Sequence, residues 1–154
     1  MTNNAAPKVL IVEDDRVLRN VLMKMLTDWG YEGIEASNGN EALRRVLVDK
    51  PDLILLDLIM PDINGFAVCK TLRTEMNVLT TPIIILTARG EKDEILKGFE
   101  VGANDYLIKP VDQFELEGRI RTQLRIKSLY DNANAEKNDL ATLLEISKAV
   151  SSTL

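Results

Sequence analysis

Four short apolar runs constrain this 154-residue chain more than any other feature: Val9-Leu10-Ile11-Val12, Leu53-Ile54-Leu55-Leu56, Ile83-Ile84-Ile85-Leu86 and the less pure Tyr106-Leu107-Ile108. Each has the length of a strand, is rich in Leu or β-branched side chains, and lacks polar alternation. A strand that is apolar on both faces has to be covered on both, which is the situation inside a parallel sheet layered between helices. Tyr31 to Ala36, bounded by Gly30 and by Ser37-Asn38-Gly39, is a weaker fifth candidate. Between the runs the period changes. Val17, Leu18, Val21, Leu22, Met25, Leu26 and Trp29 form one helical stripe that stops at Gly30. Ala42, Leu43, Val46 and Leu47 form a second, ended before Pro51, and Phe66, Cys69, Leu72 and Met76 a third. Ile95, Leu96 and Phe99 form a fourth that closes at Gly102, and Phe114, Leu116, Ile120 and Leu124 open a fifth. This alternation predicts a doubly wound α/β domain in which each crossover is right-handed.

Past Arg125 the pattern alters. Ile126, Leu129, Ala133, Glu136, Leu140, Leu143, Ser147 and Val150 follow alternating spacings of three and four, and six of the eight are apolar, a modest heptad signal. Asn132, Asn134 and Asn138 are poor helix material, which leaves room for a break or fray there. The two readings are a floppy tail and an extension of the fifth helix that pairs with a second chain.

Composition narrows the function. The single cysteine, Cys69, excludes a disulfide framework and a four-cysteine zinc site. A net charge of −5 argues against a chain that coats nucleic acid or anionic lipid. No apolar run approaches the roughly 18 residues of a membrane span. Met1 to Pro7 lacks a signal-peptide core; residues 1–7 are expected to be a disordered tail, and the location cytoplasmic.

In open parallel sheets, chemistry gathers beyond the carboxyl ends of the strands, where strand order reverses. The first run is followed by Glu13-Asp14-Asp15, the third strand by Asp57, the fourth by Thr87 and the fifth by Lys109-Pro110. Acids, a hydroxyl and an ammonium are thus expected in one crevice. Carboxylates a few ångströms apart repel by about 4 kcal/mol per close pair at an effective dielectric of roughly 20. Lys109 offers one compensating charge, and a hard divalent cation such as Mg²⁺ offers two, with carboxylates and water as its preferred ligands. With a phosphoryl donor present, metal and lysine would neutralise the equatorial oxygens while a carboxylate attacks in line.

The segments Val-Leu-Ile-Val-Glu-Asp-Asp (9–15), Leu-Leu-Asp-Leu-Ile-Met-Pro-Asp-Ile-Asn-Gly (55–65), Ile-Leu-Thr-Ala (85–88) and Asp-Tyr-Leu-Ile-Lys-Pro (105–110) together resemble the signature set of two-component response-regulator receiver domains. The resemblance runs from Lys8 to about Lys127 and makes 8–127 the receiver. It implies a flavodoxin-like five-stranded parallel sheet in the order 2-1-3-4-5, with an extended C-terminal helix. It implies that Asp57 is the phosphoacceptor, taking a phosphoryl group from the phosphohistidine of a sensor histidine kinase or a phosphotransfer protein. The chain itself contains no histidine, so that group must belong to the partner. Glu13 and Asp14 would organise Mg²⁺ (or Mn²⁺), Asp14 directly and Glu13 through water, with Asp57 and the backbone carbonyl of Ile59 completing the protein's share. Lys109 would pair with the phosphoryl group, and the Lys109–Pro110 bond would be cis. Thr87 would move toward the phosphoryl oxygens, Tyr106 would turn inward, and the face made by the fourth helix, fifth strand and fifth helix would change shape. The domain is then a switch and not a turnover enzyme. Its expected homodimer uses that face, the C-terminal helix, or both, with no direct contact to nucleic acid or membrane.

Asp15 is expected to cap the first helix rather than touch metal. Ile59, two residues past Asp57, and Arg89, two past Thr87, depart from the more polar choices common in the family. Ile59 cannot hydrogen-bond an attacking water and Arg89 is able to cover the phosphoryl group, so slow self-hydrolysis is expected.

Rival readings fare worse. Glu13-Asp14-Asp15 would repel a flavin phosphate, and Ile59 stands where dehalogenase-type phosphatases carry their second acid. A phosphorylation-independent, receiver-like dimerisation module is the remaining alternative. Arg119, Arg121, Arg125 and Lys127, with Glu115 and Glu117 nearby, read as a solvated helix face and not a nucleic-acid site. Leu143 to Leu154 resembles the lead-in helices of GAF sensory domains and the linkers ahead of diguanylate cyclase outputs. Residues 128–154 are therefore expected to be a helical or coiled-coil linker cut from a longer protein.

Overall fold

The computed structural model describes residues 5–88 and 90–153; residues 1–4 of the expected tail, Arg89 and Leu154 lie outside the described residues. The apolar runs are strands: β1 (Lys8–Val12), β2 (Glu32–Ala36), β3 (Leu53–Asp57), β4 (Ile83–Thr87) and β5 (Asp105–Ile108). They alternate with α1 (Arg16–Asp28), α2 (Gly39–Asp49), α3 (Gly65–Thr74), α4 (Lys92–Glu100) and α5 (Gln113–Thr153). All strand pairs are parallel, in the order β2-β1-β3-β4-β5. Order reverses between β1 and β3, so their carboxyl ends open on one crevice.

Strand alternation divides the core into two layers. Val9, Ile11, Leu53, Leu55, Ile84 and Leu86 pack with Leu22 and Leu26 of α1 and with Leu116 and Ile120 of α5. Leu10, Val12, Ile54, Leu56 and Ile83 pack with Ala42 and Val46 of α2 and with Val68 and Leu72 of α3. The edge strands are less covered, β2 exposing Glu32 and Glu35 and half-burying Gly33 and Ile34 before its buried Ala36. Among the described residues, no helix is long and apolar enough to cross a membrane.

Short polar side chains start α1, α2, α3 and α5. Asp15 accepts from the N–H groups of Val17 and Leu18 (2.9 and 3.3 Å), Asn38 from Glu41 (2.8 Å), Asn64 from Ala67 (2.9 Å) and Asp112 from Glu115 (2.9 Å). Each satisfies a donor that the first turn leaves unpaired. At the other end of α1, Gly30 adopts φ +89°. Its N–H donates to the Thr27 carbonyl (3.1 Å) and that of Tyr31 to Leu26 (2.8 Å), the paired closure of a glycine-terminated helix. That use of the Tyr31 amide is why β2 begins at Glu32 and not at Tyr31.

One expectation is corrected and one open choice is decided. Met76 lies beyond the end of α3 at Thr74 and packs on the core from the following turn. Of the two readings of the tail, the extension of the fifth helix holds: α5 runs unbroken through the asparagine cluster. An interior Asn costs less than about 0.7 kcal/mol relative to Ala, and here Ala133, Ala135, Glu136, Lys137 and Leu140 surround the cluster with strong helix formers. An i,i+4 ion pair between Lys127 and Asp131 (2.7 Å) lies one turn earlier. By packing, the chain divides into two units, one ending at Leu124 and the other starting at Arg125.

Gly65 fixes the backbone behind the crevice. A Cβ there would collide with the Asp57 carbonyl oxygen and lie 2.9 Å from the Leu58 Cα, while the Gly65 N–H donates to the Leu58 carbonyl (2.9 Å). Gly118 has open space instead. Gly65→Ala is expected to destabilise the domain by about 1–3 kcal/mol through the forced backbone shift. Gly118→Ala, in a helix interior, should stabilise it by about 0.5–1 kcal/mol. Urea unfolding of the two variants measures both.

Candidate functional site

Three loops converge where β1, β3 and β5 end. Glu13 and Asp57 are buried at 3% and 5% exposure, whereas Asp14 is exposed. One carboxylate oxygen from each of the three lies within 4.8 Å of the others. The Lys109 ammonium reaches into the group from the end of β5. It donates to Glu13 Oε1 and Oε2 (3.1 and 3.3 Å) and lies 3.4 Å from Asp57 Oδ1. The same Asp57 oxygen accepts the Ile59 N–H (3.3 Å). The Ile59 side chain faces solvent at 59% exposure. Lys109 is placed by its own backbone, whose N–H donates to the Thr87 carbonyl (2.7 Å); the Lys109–Pro110 bond is cis, as the resemblance implied.

The charges do not balance. Three carboxylates against one ammonium leave an excess of negative charge in a half-buried site. Burial first, and then Asp57 as hydrogen-bond neighbour and like charge, push the Glu13 carboxyl from 4.5 up to about 7, against the pull of Lys109. An all-oxygen donor set with uncompensated negative charge suits a hard divalent cation. Glu13, Asp14 and Asp57 are the residues able to hold one.

Thr87, at 1% exposure, closes the crevice at the end of β4. Its hydroxyl hydrogen-bonds with the Tyr106 phenol, which burial lifts above its ordinary pKa, with further upward pressure from Glu94 and Glu91. The structure therefore gathers Glu13, Asp14, Asp57, Thr87 and Lys109 at one end of the sheet, with Tyr106 linked through Thr87. Asp15 turns away as a helix cap. Arg89 lies outside the described residues.

The crevice has struts that sequence reasoning missed. Asp62, in the loop after β3, accepts the N–H groups of Gly39 and Asn40 (3.0 and 2.9 Å) and so ties that loop to the start of α2. Those backbone bonds, led by Asn40, hold the Asp62 carboxyl below its ordinary pKa. Arg19 donates to the Glu13 carbonyl (2.8 Å). Neither contact leaves a local signal, since Asp62 meets residues 22 and 23 positions upstream.

The model of the response regulator receiver domain matches residues 9–121. The chain belongs to this family. The receiver is 39% identical over 132 residues to the alkaline phosphatase synthesis transcriptional regulatory protein PhoP of Bacillus subtilis, covering 86% of this chain and 54% of that protein. It is 40% identical over 119 residues to the transcriptional regulatory protein AfsQ1 of Streptomyces coelicolor, covering 77% of this chain and 52% of the other. The chain thus spans about half the length of the curated relatives it matches. Among solved structures, a two-component response regulator from Clostridium difficile superposes with a TM-score of 0.73 at 34% identity, covering 77% of this chain and 96% of that one. The chemotaxis protein CheY4 of Vibrio cholerae gives 0.73 at 33% identity, covering 77% and 98%.

The raised Glu13 pKa has a definite sign in stability. Proton binding by Glu13 favours the fold; that contribution is complete below 4.5 and is lost as pH rises through about 7. Without divalent ions, the receiver should lose stability relative to Glu13→Gln between pH 6 and pH 8. Urea unfolding in chelator at both pH values tests this; an unchanging difference would mean that Glu13 is ionised throughout.

Proposed function

We propose that this receiver is a phosphorylation-controlled switch of a two-component system. Its phosphoryl donor is the phosphohistidine of a sensor kinase or phosphotransfer protein. An Asp57 carboxylate oxygen attacks phosphorus in line; the new P–O bond forms as the P–N bond to the imidazole breaks, and the imidazole leaves and takes up a proton. The observation that carries the reading is the meeting of Glu13, Asp14 and Asp57 within 4.8 Å, with the Lys109 ammonium against two of them. Mg²⁺ (or Mn²⁺), when bound by these acids and the Ile59 carbonyl, supplies positive charge that offsets the charge on the phosphoryl oxygens. Lys109 is close enough to Asp57 to exchange a carboxylate partner for a phosphoryl oxygen. Thr87 then gives its hydroxyl to another such oxygen, and Tyr106 moves into the space released. The domain modifies its own side chain and turns over no external substrate.

The change passes through α4, β5 and α5 to an output, in a cytoplasmic setting. The tail's likeness to GAF and diguanylate cyclase linkers favours a signalling output. The names of the relatives favour control of transcription.

Intact mass after incubation with acetyl phosphate and Mg²⁺ tests the chemistry. The parent should gain one phosphoryl group, Asp57→Asn none, and chelation should abolish the gain. Failure to label a folded, Mg²⁺-binding parent with any donor would instead favour the phosphorylation-independent module.

Ile59 generates a second expectation. Its exposed side chain at the mouth of the crevice offers no hydrogen bond to an incoming water. Ile59→Asn should shorten the lifetime of the aspartyl phosphate by several-fold, measured as loss of label after donor removal, and the parent should hold its label for far longer than seconds.

A further inference from the structure

The last part of α5 carries an exposed apolar stripe. Ile126, Leu129, Leu140 and Leu143 are between 53% and 63% exposed, aligned along a continuous helix. Two polar contacts of this segment lie on the opposite side: Lys127 pairs with Asp131 (2.7 Å), and the Thr142 hydroxyl donates to the Asn138 carbonyl (3.0 Å). With Ile126 at heptad position a, Leu129 falls at d, Leu140 at a and Leu143 at d. The pattern extends from Ile126 to Val150, about 37 Å of helix.

One charged residue in the stripe decides its occupant. Glu136 falls at d, where an isolated carboxylate would be costly to cover with apolar surface. In a parallel, in-register pair, a d side chain packs beside the d and e positions of the other helix. The e residue next to it is Lys137, so each Glu136 meets a lysine across the seam, twice by symmetry. Within one helix these neighbours cannot pair, because i,i+1 side chains diverge. The flanking positions agree: Arg125 at g lies opposite Tyr130 at e of the other helix, a guanidinium-on-ring contact. An antiparallel pairing of Ile126 with Leu143 sets Glu136 against Ala133, a full turn away from the other chain's lysine.

We infer that residues 126–150 form a parallel, in-register, two-stranded coiled coil with a second copy of this chain, registered by reciprocal Glu136–Lys137 ion pairs. The pairing requires no phosphoryl group and does not depend on the chemistry of the crevice.

Sedimentation equilibrium of the whole chain is expected to show a dimer without any phosphodonor. Glu136→Lys should weaken that dimer by about tenfold through like charges at the seam, and adding Lys137→Glu should restore it. Leu143→Cys should form an interchain 143–143 disulfide under oxidised glutathione, while the one native thiol, Cys69, is buried. A monomer, a trimer or larger species, a charge reversal that the second substitution fails to rescue, or a dimer that forms no 143–143 bridge would each overturn the inference.

Discussion

An ammonium group held against two buried carboxylates is the interaction on which this molecule turns. Lys109 reaches Glu13 and Asp57 from the far edge of the sheet. In doing so it makes the ends of β1, β3 and β5 interdependent. Removing it would leave two acids at 3% and 5% exposure facing one another, an arrangement that costs far more than the net worth of the ion pair itself. Yet Lys109 alone does not cancel the site's charge, and Glu13 rises toward neutral pH through burial first and then through the neighbouring Asp57 charge, which the lysine only partly offsets. The same shortfall makes the crevice receptive to cations and, once one is present, to anions.

The fold was legible because each central strand is apolar on both faces. Val9-Leu10-Ile11-Val12 and Ile83-Ile84-Ile85-Leu86 have no exposed side to mislead. The site was legible for a related reason: a parallel sheet brings its carboxyl ends together, so residues that follow the strands are neighbours by topology before any contact is known. Glu13, Asp57, Thr87 and Lys109 all satisfy that rule. Asp62 does not, because it sits in the middle of a loop and braces an amide 23 residues earlier. Arg19 escaped notice because it holds a backbone carbonyl, which sequence does not display. The asparagine cluster left the tail's conformation open in the sequence, because single-residue propensity is a small term against the strong helix formers around it; the helix runs through.

Gly65 and Asp62 show how the loop after β3 is held from behind and from the side. The first admits α3 to close contact with the Asp57 backbone; the second links that loop to α2 through two amides. Catalytic groups need their supports as much as their own chemistry, since small misplacements of reacting atoms cost rate steeply. Here that support comes from a glycine backbone and from a carboxylate bonded to the start of α2.

The sheet's borders carry a consequence of a different kind. β2 is an edge, and its sequence places Glu32 and Glu35 an odd number of residues apart, hence on opposite faces. Any foreign strand that tried to extend the sheet there would have to strip water from a carboxylate whichever way it lay. β5, the other edge, is only four residues long and opens with Asp105, already engaged by Arg119 at 3.3 Å. A domain whose three inner strands are among the most aggregation-prone kinds of peptide is thereby kept from polymerising through its own margins.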